Sequence, residues 1–152
     1  MGQLGLVARL RFLDARTAER PVNELLEHLN SALHYYHKAL ALLPRDAVDD
    51  LAVVYGQVGT IYGDAGDIDR ALAHFQNAIR YHDNAGDIYD AANVRFNVAL
   101  VLANAGRFPD ARLYAVAALR NFETYGNRAA AEIQDTHQLI ADIDRLAATK
   151  AP

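Results

Sequence analysis

Four glycines, Gly66, Gly86, Gly106 and Gly126, stand twenty residues apart in the stretches DAGD, NAGD, NAGR and TYGN. A fixed period of this kind marks stacked supersecondary units rather than one irregular globule. Between the glycines, apolar residues recur at helical spacing: Ile68, Leu72, Phe75 and Ile79 in one interval, Val94, Val98, Val101 and Leu102 in the next. Each interval is therefore expected to be one helix. A glycine just past a helix end takes the left-handed conformation without steric cost, so the four glycines read as helix stops. Start signals follow them: Asp67 or Asp69 and then Asp87 as caps, and Pro109 in a first turn, where its missing N–H does no harm. Turns this short force antiparallel neighbours. The pattern predicts helices near 3–15, 22–43, 47–65, 68–85, 88–105, 109–125 and 128–148, and no strands.

The composition suits one folded domain over residues 1–152, since 52% hydrophobic and 22% charged residues can bury a real core. The net charge is only -4, with acids and bases interspersed, which argues against nucleic acid as a partner. The absence of cysteine excludes disulfides, thiolate metal sites and a cysteine nucleophile. The opening MGQLGLVARLRFLDA is too short and too interrupted by Arg9 and Arg11 for a membrane span or a secretory signal, so a cytoplasmic chain with no membrane partner is expected. Abundant alanine and only two lysines, Lys38 and Lys150, suggest a GC-rich bacterial source.

Two intervals make a repeat of forty. AGDIDRALAHFQNAIR from Ala65 aligns with AGRFPDARLYAVAALR from Ala105, matching at Ala65/Ala105, Gly66/Gly106, Ala71/Ala111, Ala78/Ala118 and Arg80/Arg120. Small residues at Gly59, Ala71 and Ala78, and at Ala99, Ala111 and Ala118, let two helix backbones approach closely, with Tyr55, Tyr62 and Phe75 filling the gaps. Tyr55-x2-Val58-Gly59-x2-Tyr62 followed by Ala71-x3-Phe75 and Ala78 resembles the tetratricopeptide repeat. The next unit keeps Val98, Ala99, Ala111 and Ala118 but has Arg95 in place of an aromatic and Ala115 in place of Phe75. An earlier unit retains Ala32-x3-Tyr36, Ala39 and a closing Pro44, behind an insertion carrying Pro21. The expected units are 1–46, a divergent first hairpin; 47–86 and 87–126, two repeats; and 127–152, a terminal helix. The forty-residue length is similar to the longer repeats of kinesin light chains, of mitotic-spindle adaptors and of helical arrays in bacterial signalling ATPases.

The resemblance implies an all-α, right-handed superhelix of stacked antiparallel hairpins whose concave side is lined by the first helix of each pair. It also implies a protein-interaction scaffold that holds a peptide or partner segment in that groove. The forty-residue register sets Gln57, Asn97 and His137 at equivalent positions on successive first helices. Side-chain amides both donate and accept, so they can hold a peptide backbone without reading its sequence. In the resembled family an asparagine at the place of Asn97 does this. The same face is expected to carry Thr60 and Asp64, then Asn93, Phe96, Leu100 and Asn104, then Thr136 and Ile140. Solvated positions on exposed helix faces are the plain alternative for these amides. The family's basic clamp for a terminal carboxylate has no counterpart, because Val53, Gly56, Gln57, Asn93, Phe96 and Asn97 supply no lysine or arginine.

No catalytic motif emerges, and the chain is read as neither an enzyme nor a cofactor protein. Ser31 is the only serine, and no Ser-based nucleophile motif surrounds it. His34 and His37 can share a helix face but lack a completing carboxylate motif, so no metal is expected. GQVGTIYGDAG is glycine-rich but lies in a helical pattern without G-K-[ST], which argues against a phosphate loop; Gly56 and Gly63 there imply close packing or ligand approach.

In the final helix, Ile133, Leu139, Ile140, Ile143 and Leu146 spread apolar character over a wide arc. Either this helix caps the stack or it offers a surface for self-association. The latter would make the chain a sensor or oligomerisation arm of a larger bacterial signalling protein, acting through its terminal helix and convex face. The opening helix lacks capping character, which leans toward a fragment of such a protein.

Overall fold

The computed structural model describes residues 22–151, and the helix expected near 3–15 and the insertion at Pro21 lie outside them. Six α-helices follow in order: α1 Val22–Leu42, α2 Val48–Asp64, α3 Ile68–Ala85, α4 Ile88–Asn104, α5 Phe108–Glu123 and α6 Ala130–Lys150, with a 3-10 turn at Gly126–Ala129 before the last. There is no strand among the described residues, so the fold is an all-α helical repeat. None of these helices is long and apolar enough to cross a membrane.

The glycine period acts through hydrogen bonds at the helix ends. Gly66, Gly86 and Gly106 have φ of 81°, 75° and 75°. At the first, the Gly66 N–H donates to the Gly63 carbonyl at 3.0 Å and the Asp67 N–H reaches back to the Tyr62 carbonyl at 2.9 Å. The same pair of bonds closes α3 through Gly86 and Asp87 onto Asp83 and His82, and α4 through Gly106 and Arg107 onto Ala103 and Leu102. These are Schellman closures, which satisfy carbonyls that the helix leaves without partners. The residue after each glycine also begins the next helix. Asp67 and Asp87 accept hydrogen bonds from the backbone N–H of Arg70 and Asp90, at 3.1 and 3.3 Å. Asp67, not Asp69, is therefore the cap. Arg107 makes no such side-chain bond, and there Pro109 occupies the first turn.

The fourth glycine departs from the expectation. Helix α5 ends at Thr124 in right-handed conformation, and Gly126, at φ 55°, opens the 3-10 turn instead. No acidic cap follows it, only Asn127 and Arg128, so α6 is entered through the extra turn rather than directly.

Contacts give the directions of packing. Along α2 and α3, Tyr62 stacks on His74 and Tyr55 on Tyr81, while Gly59 faces Phe75 and Gly56 faces Ala78; rising numbers meet falling ones, so the pair is antiparallel. Between α2 and α4, Gly56 meets Val94 and Gly63 meets Val101, the same separation in both pairs and close to the repeat length, so successive first helices run parallel. A Cβ on Gly59 would fall 2.7 Å from Phe75 Cδ1, and one on Gly63 would fall 2.7 Å from Val101 Cγ2. Both glycines are therefore required by close approach of neighbouring helices.

The main core joins Ala71, Phe75 and Ala78 of α3 to Val98, Ala99 and Leu102 of α4, Ala111 and Ala115 of α5 and Ile143 of α6. A second cluster packs Leu29, Ala32, Tyr36 and Ala39 of α1 on Val54, Val58 and Ile61 of α2. Arg95, in the place of an aromatic, spans three helices. Its guanidinium donates to both oxygens of Asp83 on α3, at 3.2 and 2.7 Å, and to Asn121 Oδ1 on α5 at 3.1 Å. The apolar arc of α6 is used within the chain: Ile143 is buried, Leu139 and Ile140 pack on the main core and Ile133 on Ala92 and Phe122, leaving Leu146 exposed. That removes the observation from which self-association was expected.

Candidate functional site

The parallel course of α2 and α4 leaves a cleft between them. Helix α2 lines it with Ala52, Val53, Gly56, Gln57 and Thr60, α4 with Asp90, Asn93, Val94 and Asn97, and α3 with Phe75 and His82 from behind. Gly56 matters most to its shape. A Cβ there would lie 3.9 Å from Ala78 Cβ and 4.0 Å from Val94 Cγ2, which is ordinary contact, so neighbouring atoms do not require this glycine. Of the two expectations for these glycines, close packing or ligand approach, close packing holds at Gly63, whereas at Gly56 the missing side chain leaves backbone facing the cleft. The volume is about 190 Å³, below the roughly 300–1,000 Å³ of pockets that engulf small molecules. It has room for a side chain or a stretch of backbone.

The polar groups in the cleft differ in what they are already doing. Thr60 Oγ1 donates to the Gly56 carbonyl of its own helix at 2.9 Å. Asn93 Nδ2 donates to Asp90 Oδ1 at 3.3 Å. The side-chain amides of Gln57 and Asn97 make no hydrogen bond to any described residue. Asp90 is exposed as a residue, but partial desolvation of its carboxyl holds it above its ordinary value, and the neighbouring Asp87 adds to the shift, against opposing pulls from Asn93 and His82. No lysine or arginine lines the cleft.

Of the positions singled out from the sequence, Gln57, Thr60, Asn93 and Asn97 come together here, and Phe96, Leu100, Asn104 and His137 do not line this cleft. Phe96 is half-buried on another face of α4, packed with Ala118, Phe122 and Ala129. Leu100, Asn104 and His137 are exposed. Thr136, placed with the groove by register, is fully buried and donates to the Glu132 carbonyl at 2.6 Å. The glycine-rich stretch is helix interior, with no loop to cradle a phosphate. His34 is exposed beside Tyr35, and the ring of His37 meets the edge of His74 on α3.

The contribution of α3 escapes a reading confined to first helices, since His82 reaches the cleft from a second helix. One signal was available: forty residues on, His82 corresponds to Phe122, and an imidazole in place of a buried phenyl is a departure that packing alone does not require.

No curated protein matches the chain. The tetratricopeptide repeat family model matches residues 59–126, from the middle of α2 to the fourth glycine. Repeats of this family generally serve protein–protein interaction rather than catalysis. The matched segment carries the small-residue seams and glycine closures described above and is tetratricopeptide repeat in kind, and the helices on either side extend the same all-α stack.

Proposed function

We propose that the protein is a peptide-binding scaffold that holds an extended partner segment in the cleft between α2 and α4. The observation that carries this reading is the pair of free amides. Gln57 and Asn97 sit on two parallel helices, line one cleft and have no partner among the described residues, while Thr60 and Asn93 beside them are already bonded. An amide offers a donor and an acceptor, the complement of a peptide unit. Exposed Val53 and the uncovered backbone at Gly56, beside Ala78 and Val94, give one side chain of the segment an apolar seat. With no basic residue in the lining, binding does not depend on a terminal carboxylate, and internal segments serve as well as chain ends.

Selection from a displayed library of peptides tests the reading. Binders recovered with the native protein should be lost on a Gln57→Ala, Asn97→Ala double variant whose helicity and melting temperature are unchanged. Binders retained at full affinity would move the interaction away from this cleft.

A further inference from the structure

At the junction of α3 and α4, beside the cleft, His82, Asp87 and Asp90 converge so that one ligand atom from each lies within 4.8 Å of the others. Acidic residues near a helix start are common and by themselves say nothing about ions. The imidazole is what sets this group apart. His82 is 5% exposed, and its buried Nδ1 has no hydrogen-bond partner. That nitrogen points at Asp87 Oδ2 across 3.5 Å, longer than the 2.7–2.9 Å or so of a charge-assisted hydrogen bond. A buried polar atom left without a partner is costly, so its retention calls for a reason.

We propose that His82, Asp87 and Asp90 form a binding site for a divalent transition-metal cation of the Zn²⁺ class. Imidazole nitrogen with carboxylate oxygen is a donor set suited to such ions rather than to Mg²⁺ or Ca²⁺, which favour oxygen throughout. The distances fit. Ligands about 2.0–2.1 Å from a tetrahedral ion lie about 3.3–3.4 Å apart, and His82 Nδ1 and Asp87 Oδ2 are already 3.5 Å apart. Asp90 is exposed and closes the remaining distance by a side-chain rotation. Asp87 can serve twice, because its Oδ1 caps α4 through the Asp90 N–H and leaves Oδ2 facing the histidine. His82 and Asp90 also line the cleft, which gives the ion a way in from solvent and leaves a fourth position for water.

The repeat supplies an internal control. Forty residues on, before the register changes at Gly126, the place of His82 is held by Phe122, which is buried at 1% exposure. The fold accepts a phenyl ring where His82 stands, so packing does not require the nitrogen. The polar group belongs to one junction only.

Isothermal titration of the full chain with ZnCl₂, paired with thermal melts, tests the assignment. One ion is expected to bind per chain and to raise Tm with concentration by mass action. His82→Phe, which copies the phenyl that the next repeat carries at Phe122, should abolish binding, and Asp90→Ala and Asp87→Ser, the latter keeping a capping oxygen, should each weaken it at least about tenfold. His34→Gln with His37→Gln should leave it unchanged. Absence of saturable binding through the millimolar range would overturn the proposal. So would binding that survives Asp90→Ala and Asp87→Ser undiminished, whether or not His82→Phe folds.

Discussion

In the α2/α3 hairpin the seam closes because the ring of Phe75 lies against a residue with no side chain, Gly59, whereas the corresponding pair in α4/α5 is Ala115 and Ala99. The second hairpin carries its bulk elsewhere, in Phe108 at the start of α5 and Phe122 near its end. A second exchange accompanies the first. Tyr55, which stacks with His74 and Tyr81, gives way to Arg95, which bonds to Asp83 and Asn121. Both hairpins hold Ala71/Ala111 and Ala78/Ala118 fully buried. The invariant of the repeat is thus the close approach set by its alanines. The volume around that approach can be supplied by an aromatic in the middle, aromatics at the ends, or a guanidinium bridging neighbours.

Substitutions that move one hairpin's solution into the other test this view. The largest effect is expected from Phe75→Ala, which empties the seam of α2/α3 and should cost about 3–5 kcal/mol in urea unfolding. Ala71→Leu and Ala111→Leu overfill the shared approach and should each cost about 1–3 kcal/mol. An unchanged melting temperature for either would mean the alanines do not set the spacing. Arg95→Ala removes a partly exposed bidentate pair and should cost about 1–2 kcal/mol, seen as a lower urea midpoint with unchanged slope. Gly56→Ala goes the other way: the methyl fits and the helix gains about 0.5–1 kcal/mol, while peptide binding weakens because the cleft narrows. A variant that is both more stable and fully competent to bind would separate the cleft from function.

The aromatic hairpin also carries a histidine-linked pH dependence, and residues 87–126 hold no histidine. Burial, with a contribution from the charge on His37, lowers the pKa of His74 below the ordinary histidine value. His74 stacks on Tyr55 and Tyr62, and Arg70 lies over the outer ring of that stack. The unfolded chain then binds a proton more readily than the folded one. Stability from this group is complete above the unfolded value near 6.5 and declines as acid titrates the chain below it. Melts between neutral and mildly acid pH should show the decline in the native protein and a smaller one in His74→Phe.

The helices were legible in the sequence because their signals are local: each glycine-plus-acid turn ends one helix and starts the next within three residues. Gly126 misled for the same reason, since its meaning depended on what followed, and Asn127-Arg128 supply no cap. The candidate site was legible in part. A register of forty finds Gln57 and Asn97 because α2 and α4 are direct parallel neighbours. It fails at His137 and Thr136, because the 3-10 turn changes how α6 is entered, and Tyr89 of α4 meets Glu132 of α6 across an interval of 43 residues. Phe96 failed differently, since spacing alone does not say which side of a helix a neighbour will claim. His82 was missed because it stands on a second helix.

Asp67 and Asp87, each finishing one helix while opening the next, leave those two junctions without slack. A chain pulled or twisted from its ends has no hinge at either place, so strain must spread across the helix seams. The turn at Gly126, which lacks such a shared residue, is where a sharper bend would concentrate.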